Sequence, residues 1–157
     1  MKIKLNYFII PLVTILASAV GGQITKQGMG WYNSINLPSF TPPGYFIGIV
    51  WTIIFILSTI SALLVYNSKI KPKSYWQPVM ILFLLNAVLN IWWSTLFFGF
   101  NRLGLALIEL VFLNLTNLAL IIILWRRKPT AAWLLLPYFL WVCFAGYLNL
   151  LIWQLNR

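Results

Sequence analysis

Groups able to do acid–base, nucleophilic or metal chemistry are nearly missing from this 157-residue chain. It has no His and no Asp, a single acid at Glu109 and a single thiol at Cys143. A Ser–His–Asp or Cys–His arrangement therefore cannot be assembled. No His/Cys/carboxylate set exists to hold a metal, and haem held through His is excluded. The chain is rich in rings instead, with nine Trp, seven Tyr and eleven Phe. Indoles stack on flat ring systems, and a buried Asn can hydrogen-bond a carboxylate or carbonyl. Packing between helices, or the lining of an apolar pocket with a few orienting polar groups, is what these residues offer.

At about 100° per residue, several of them fall on shared helical stripes. Asn86, Asn90, Trp93 and Phe97 form one, and Trp51, Phe55, Ser58 and Ala62 another. Pro137, Trp141, Phe144 and Leu148 form a third, with Ala145 beside it. Aromatics mixed with small and polar residues suit an apolar pocket that has a few orienting groups. The same stripes would also serve as helix-packing surface. Intramembrane Asn86, Asn90, Asn114, Asn117 and Asn149 need partners in a dry medium, by default across helices. Asn114 and Asn117 would equally suit a dimer contact. Glu109 lies seven residues from Arg102 and on nearly the same face, roughly 10 Å along the axis. Proton coupling is the sharper reading of this lone acid, but a structural role, paired with Arg102 or the headgroup boundary, is the expectation.

The elements that must position these residues are written in the charges. Twelve charged residues punctuate the chain, and eleven fall between uncharged stretches long enough to cross a bilayer. A hydrocarbon core of roughly 30 Å takes about 20 apolar residues in a helix. The fold class is an all-α membrane protein, a single domain over 1–157 with five spans at about 5–24, 45–67, 76–100, 103–125 and 131–154. The first could be a signal peptide, since Lys2 and Lys4 precede it and Ala17-Ser18-Ala19 resembles a cleavage site. The apolar run continues past Ala19, and Ala17/Gly21 and Ser18/Gly22 have the close-packing spacing of membrane helices, which favours a retained helix. Pro137, and more mildly Pro11, should bend their helices.

The net charge of +10 does not point to nucleic acid, because the basic residues mark span ends rather than a patch. Lys2, Lys4, Lys69, Lys71, Lys73, Arg126, Arg127 and Lys128 fall on one side, against Lys26, Arg102 and Arg157 on the other. The positive-inside rule places the N-terminus in the cytoplasm and the C-terminus outside. The 25–44 connection is long, stiffened by Pro38, Pro42 and Pro43, and carries Trp31, Tyr32 and Phe40. It reads either as an interfacial anchor or as a lid over a cavity between the helices.

Four ordered motifs carry a family resemblance over nearly the whole chain. Trp31-Tyr32 with Leu37-Pro38-Ser39-Phe40-Thr41-Pro42-Pro43-Gly44 resembles the first-loop signature of the translocator protein family, also called the tryptophan-rich sensory protein (TspO/MBR) family. Gly48-Ile49-Val50-Trp51-Thr52 comes next at the matching place. Asn90-Ile91-Trp92-Trp93-Ser94-Thr95-Leu96-Phe97-Phe98-Gly99 is similar to the third-helix motif. Leu136-Pro137-Tyr138-Phe139-Leu140-Trp141, with Phe144-Ala145 and Leu148-Asn149, is similar to the fifth. Two departures stand out. Leu37 replaces the usual Lys, and Leu150 and Gln154 stand where the mammalian sterol pattern has Tyr and a basic residue. The second lowers the expectation of cholesterol as ligand.

The resemblance implies a cavity beneath the first loop that takes flat tetrapyrroles, above all protoporphyrin, as well as a homodimer. Tyr32, Trp51, Asn90, Trp141 and Ala145 match positions the family uses there. Phe40, Pro42, Phe55, Trp93 and Tyr138 complete the expected ligand-binding set. The expected localisation is the cell inner (plasma) membrane, in contact with lipid, with no resident cofactor or metal. Three functions remain open: a porphyrin receptor or carrier; an enzyme that degrades protoporphyrin with light and oxygen, using Trp51 and Trp141; and a small exporter that depends on Glu109.

Overall fold

The computed structural model describes residues 5–68 and 75–157. Lys2 and Lys4, and the Lys69, Lys71 and Lys73 connection used in the charge argument, lie outside the described residues. Among the described residues five helices are long and apolar enough to cross a membrane. They are α1 (Asn6–Tyr32), α2 (Gly44–Tyr66), α3 (Trp76–Ser94), α4 (Leu103–Trp125) and α5 (Pro129–Leu155). Helices satisfy every backbone group internally, as hydrocarbon demands. Pro129 begins α5, where its missing N–H costs nothing, and α5 continues through Pro137 as one helix.

The first helix is longer than its apolar run suggests. The expected span ended near residue 24, yet α1 continues to Tyr32, and Trp31-Tyr32 are its last residues rather than part of a loop. Two more turns are possible because Gly28 lies against the end of α3. A Cβ there would sit 2.5 Å from the Phe98 carbonyl oxygen, so only glycine allows this approach. The true connection is therefore 33–43.

The end of α3 departs from α-helical geometry. A π-helical turn, Thr95–Gly99, succeeds Ser94, and Phe100 N–H donates to the Thr95 carbonyl at 2.8 Å. Asn101 then takes φ 55°, a left-handed conformation that Asn tolerates, and Arg102 N–H closes on the Leu96 carbonyl at 2.8 Å. The wider π turn shifts the facing of its side chains relative to a continuous α-helix, and Leu96 and Phe97 within it are buried in the interior.

Helix α4 is central and α1 peripheral. In the most apolar stretch of α4, 39% of residues are buried, against 11% in α1. Leu110 and Leu113 of α4 pack with Ile54, Tyr138 and Val142 at mid-depth. Leu120 and Leu124 pack with Val65, Val79 and Leu135 near the 126–128 end. At the other end Leu103 and Ala106 meet Leu96, Phe97, Leu148 and Ile152. Polar pairs fix the helices against one another. Asn86 Nδ2 donates to Asn117 Oδ1 at 3.0 Å and to Thr116 Oγ1 at 2.7 Å. Asn149 Nδ2 reaches the Leu103 carbonyl at 2.9 Å, and Ser61 Oγ the Ala131 carbonyl at 2.8 Å. Asn117 is thus an interior partner of Asn86 and not a dimer contact, while Asn114 Nδ2 turns to Cys143 Sγ on α5 at 3.1 Å.

Candidate functional site

Of the stripe residues read from the sequence, Asn86, Ser58 and Ala62 line a neighbouring cleft and Pro137 lines neither space, while the others meet in one cavity. It has a volume of about 440 Å³ and lies between α1, α2, α3 and α5, toward the 33–43 end of the bundle. From α2 it takes Trp51 and Phe55, from α3 Asn90 and Trp93, and from α5 Trp141 and Ala145, while Tyr32 of α1 also lines it. Each of these seven was an expected ligand-binding residue.

The rings hold one another in place. Trp51 stacks on Phe55 with centroids 5.7 Å apart, and the edge of Tyr138 meets it at 5.9 Å. Trp93 lies 6.4 Å from Trp51 and 5.3 Å from Phe97. Trp141 packs on Phe144 at 5.3 Å. The stacked Trp51–Phe55 pair and the edge-on Trp51–Tyr138 pair have geometries favoured for aromatic rings, and the other pairs are tilted. Asn90 Nδ2 donates to the Tyr138 hydroxyl at 3.1 Å, which fixes the orientation of the Asn90 amide. The ring nitrogens of Trp93 and Trp141 and the Oδ1 of Asn149 are buried without hydrogen-bond partners. A polar wall left this incomplete is costly.

Three expected residues stand elsewhere. Tyr138 lines a neighbouring cleft and touches this cavity through its bond to Asn90. Phe40 and Pro42 do not line it. Phe40 is half exposed and stacks on Tyr147 of α5 at 6.1 Å, which pins the connection from outside. No residue of the 33–43 connection lines the cavity; the connection packs beside it. Ile35 and Leu37 pack against the buried cluster of Leu96, Leu103, Leu148 and Ile152. The connection is also clasped to the end of α5, where Asn36 N–H donates to Asn156 Oδ1 at 2.9 Å and Asn156 Nδ2 to the Asn36 carbonyl at 2.8 Å. Tyr32 and Trp31 lock onto Phe97 at 6.1 and 5.8 Å.

Residues of α1 outside the expected set also line the cavity, namely Ser18, Gly21, Gly22, Thr25 and Met29. A signal is present in the Ser18/Gly22 spacing, although on its own that spacing indicates only helix contact. Gly22, Gly44 and Gly48 all line the cavity, and a Cβ on any of them would meet no atom within 4 Å. They leave open space where α1 and α2 face each other.

Glu109 takes no part in this wall. It is 5% exposed, and neither carboxylate oxygen has a hydrogen-bond partner. The expected pairing with Arg102 is not made. Arg102 caps α4 with φ −96° and ψ 71°, so it stands off the helical spiral that the seven-residue spacing assumes.

Residues 9–154 match the model of the TspO/MBR family. The chain is 39% identical to the Tryptophan-rich protein TspO of Bacillus cereus over 127 residues, 80% of each chain. It is 35% identical to the membrane protein YtaB of Bacillus subtilis over 147 residues, 92% of each. It is 28% identical to the Translocator protein of Homo sapiens over 153 residues, 93% of this chain and 87% of the other.

Proposed function

The chain belongs to the TspO/MBR family, and from that premise we propose that this multi-pass membrane protein is a porphyrin receptor, with protoporphyrin IX as its reference ligand. The observation that carries the reading is the cavity itself, about 440 Å³ and walled by Trp51, Trp93, Trp141 and Tyr32. Its size falls in the range of small-molecule sites. Its walls are made for stacking, and Asn90 supplies an oriented polar group. The chain has no His to take an iron, so a metal-free macrocycle suits it better than haem.

A second reading is favoured by one observation: Trp51 and Trp141, from different helices, both line the cavity. Light- and oxygen-dependent breakdown of a bound porphyrin requires oxidisable rings beside the pigment and no acid–base pair. Protoporphyrin IX added to the purified protein, followed by absorbance and tryptophan quenching in the dark and under light with oxygen, separates the two. Dark binding without bleaching supports the receptor. Bleaching under light that disappears in Trp51→Phe or Trp141→Phe supports the enzyme, and absence of binding in both conditions sinks both.

We place the protein in the cell inner membrane as a homodimer, with its N-terminus cytoplasmic. Arg126, Arg127 and Lys128 support that orientation, since they sit together at the end of the bundle away from the 33–43 connection.

A further inference from the structure

A second cleft, of about 290 Å³, lies along the N-terminal half of α1 and shares only Phe55 with the lining of the porphyrin cavity. We propose that it holds one acyl chain of an anionic membrane phospholipid, with the ester carbonyl at Asn6 and the chain running inward toward Phe55 and Tyr138. The inference rests on this cleft alone and stands or falls apart from the porphyrin reading.

The register of the helices gives the cleft its shape. Thr59 Oγ1 donates to Thr14 Oγ1 at 2.9 Å, which aligns α1 and α2 antiparallel. Asn6 and Tyr66 therefore mark one end, and Ala17 and Phe55 the other. From Asn6 to Ala17 is about 16 Å at 1.5 Å per residue. So small a volume spread over that length is a slot, suited to an alkyl chain and not to a ring system. Its walls are Ile10, Val13, Ala17, Ala62, Met80 and Phe83, nearly all apolar.

The mouth faces lipid. Leu5, Ile9, Tyr66 and Leu84 line the cleft and are each 48% or more exposed. Helix α1 beside it is the least buried of the five, so a lipid chain can enter sideways without passing through water. The deep end is closed by Phe55 and by Tyr138, which is tied to Asn90.

Two observations select the headgroup end. Asn6 is 8% exposed, and its Nδ2 is buried with no hydrogen-bond partner. An unpartnered buried donor is expensive, and a small rotation of the amide would aim it at an ester carbonyl at that depth. In the sequence Lys2 and Lys4 lie four and two residues before Asn6, and Arg126, Arg127 and Lys128 stand at this same end of the bundle. Basic residues beside a membrane helix attract anionic headgroups.

The test is photo-crosslinking in vesicles of phosphatidylcholine. One arm carries a trace of phosphatidylglycerol with a mid-chain diazirine, and matched arms carry the same probe on phosphatidylcholine or on a free fatty acid. Peptides labelled after illumination are mapped by mass spectrometry. We expect phosphatidylglycerol label to concentrate in 9–17 and 80–87 over the exposed positions Ile108, Val111, Phe112, Leu115 and Ile122 of α4, and to exceed the phosphatidylcholine label. Ala87→Phe and the milder Ser58→Leu both fill the cleft and should lower labelling there about tenfold, leaving dark protoporphyrin binding unchanged. Equal labelling of the α1 and α4 stretches overturns the proposal, and this wild-type map decides even if neither variant accumulates. Cleft labelling that survives both fillings also overturns it. Phosphatidylcholine labelling as strong as phosphatidylglycerol overturns the anionic assignment. Cleft labelling by the fatty acid alone replaces the phospholipid with a free fatty acid.

Discussion

Gly48 is the residue at which the proposed porphyrin site is most directly tested. It lines the cavity, and a Cβ added there meets nothing within 4 Å. Gly48→Leu should therefore take up binding space without pushing on a neighbour, and it exchanges a poor helix former for a good one. Affinity for protoporphyrin IX, read by tryptophan quenching in the dark, should fall about tenfold or more, while the unfolding temperature holds or rises. Unchanged affinity would place the ligand elsewhere. Glu109 gives the opposite kind of expectation. Its carboxylate is buried with no hydrogen-bond partner, and a polar group left so costs about 1–3 kcal/mol. Glu109→Leu should raise stability in thermal melts and leave the porphyrin titration unchanged; lost binding would restore a functional role to the acid. Spacing alone left the aromatic stripes open between pocket wall and packing surface, and the family motifs singled out the residues expected to line a pocket. The isolation of Glu109 was not legible, because its pairing depended on Arg102 lying on the same spiral, and Arg102 is the cap.

Elements decide whether the 33–43 connection stays seated on the bundle. The last two turns of α1 exist because Gly28 abuts the π-helical turn, and a Cβ there would lie 2.5 Å from the Phe98 carbonyl oxygen and 2.7 Å from its Cβ. Both atoms belong to a packed element, so Gly28→Ala must separate the helices, at about 1–3 kcal/mol for overpacking. A lowered unfolding temperature together with weaker porphyrin binding is expected, since Tyr32 and Trp31 lose their seat on Phe97; a neutral result would contradict the close approach. Asn156→Leu removes both bonds to Asn36. Amide exchange across 33–43 should quicken and bound porphyrin should leave faster, with little change in the exchange of α4. Neither device could be read in advance. Thr25 to Gly30 is polar and glycine-bearing, which locally reads as loop, and only the partner surface makes it helix. A π turn has no repeating pattern of its own, and the Asn36–Asn156 clasp joins residues 120 apart in sequence.

For the molecule as a whole, the spans were legible because a charge inside hydrocarbon is costly, so the cations fall near span ends, although α1 runs six residues past Lys26. Which helix would stand aside was hidden. The windows of α1 and α5 have the same mean hydropathy of 1.8, yet 11% of one is buried and 33% of the other, because contact with lipid and contact with protein ask for the same apolar side chains. Orientation is testable across the bilayer. Cys143 is the sole thiol, and it accepts a hydrogen bond from Asn114, so Cys143→Ser keeps an acceptor and gives a thiol-free background. In that background Ser34→Cys puts an exposed thiol on the 33–43 connection, and Thr130→Cys puts one beside the Arg126–Lys128 cluster. A membrane-impermeant maleimide applied to intact cells should label the Ser34→Cys protein at once, and the Thr130→Cys protein only after permeabilisation. The opposite pattern would turn the bundle over. It would put the porphyrin cavity nearer the cytoplasm and the mouth of the acyl cleft in the outer leaflet.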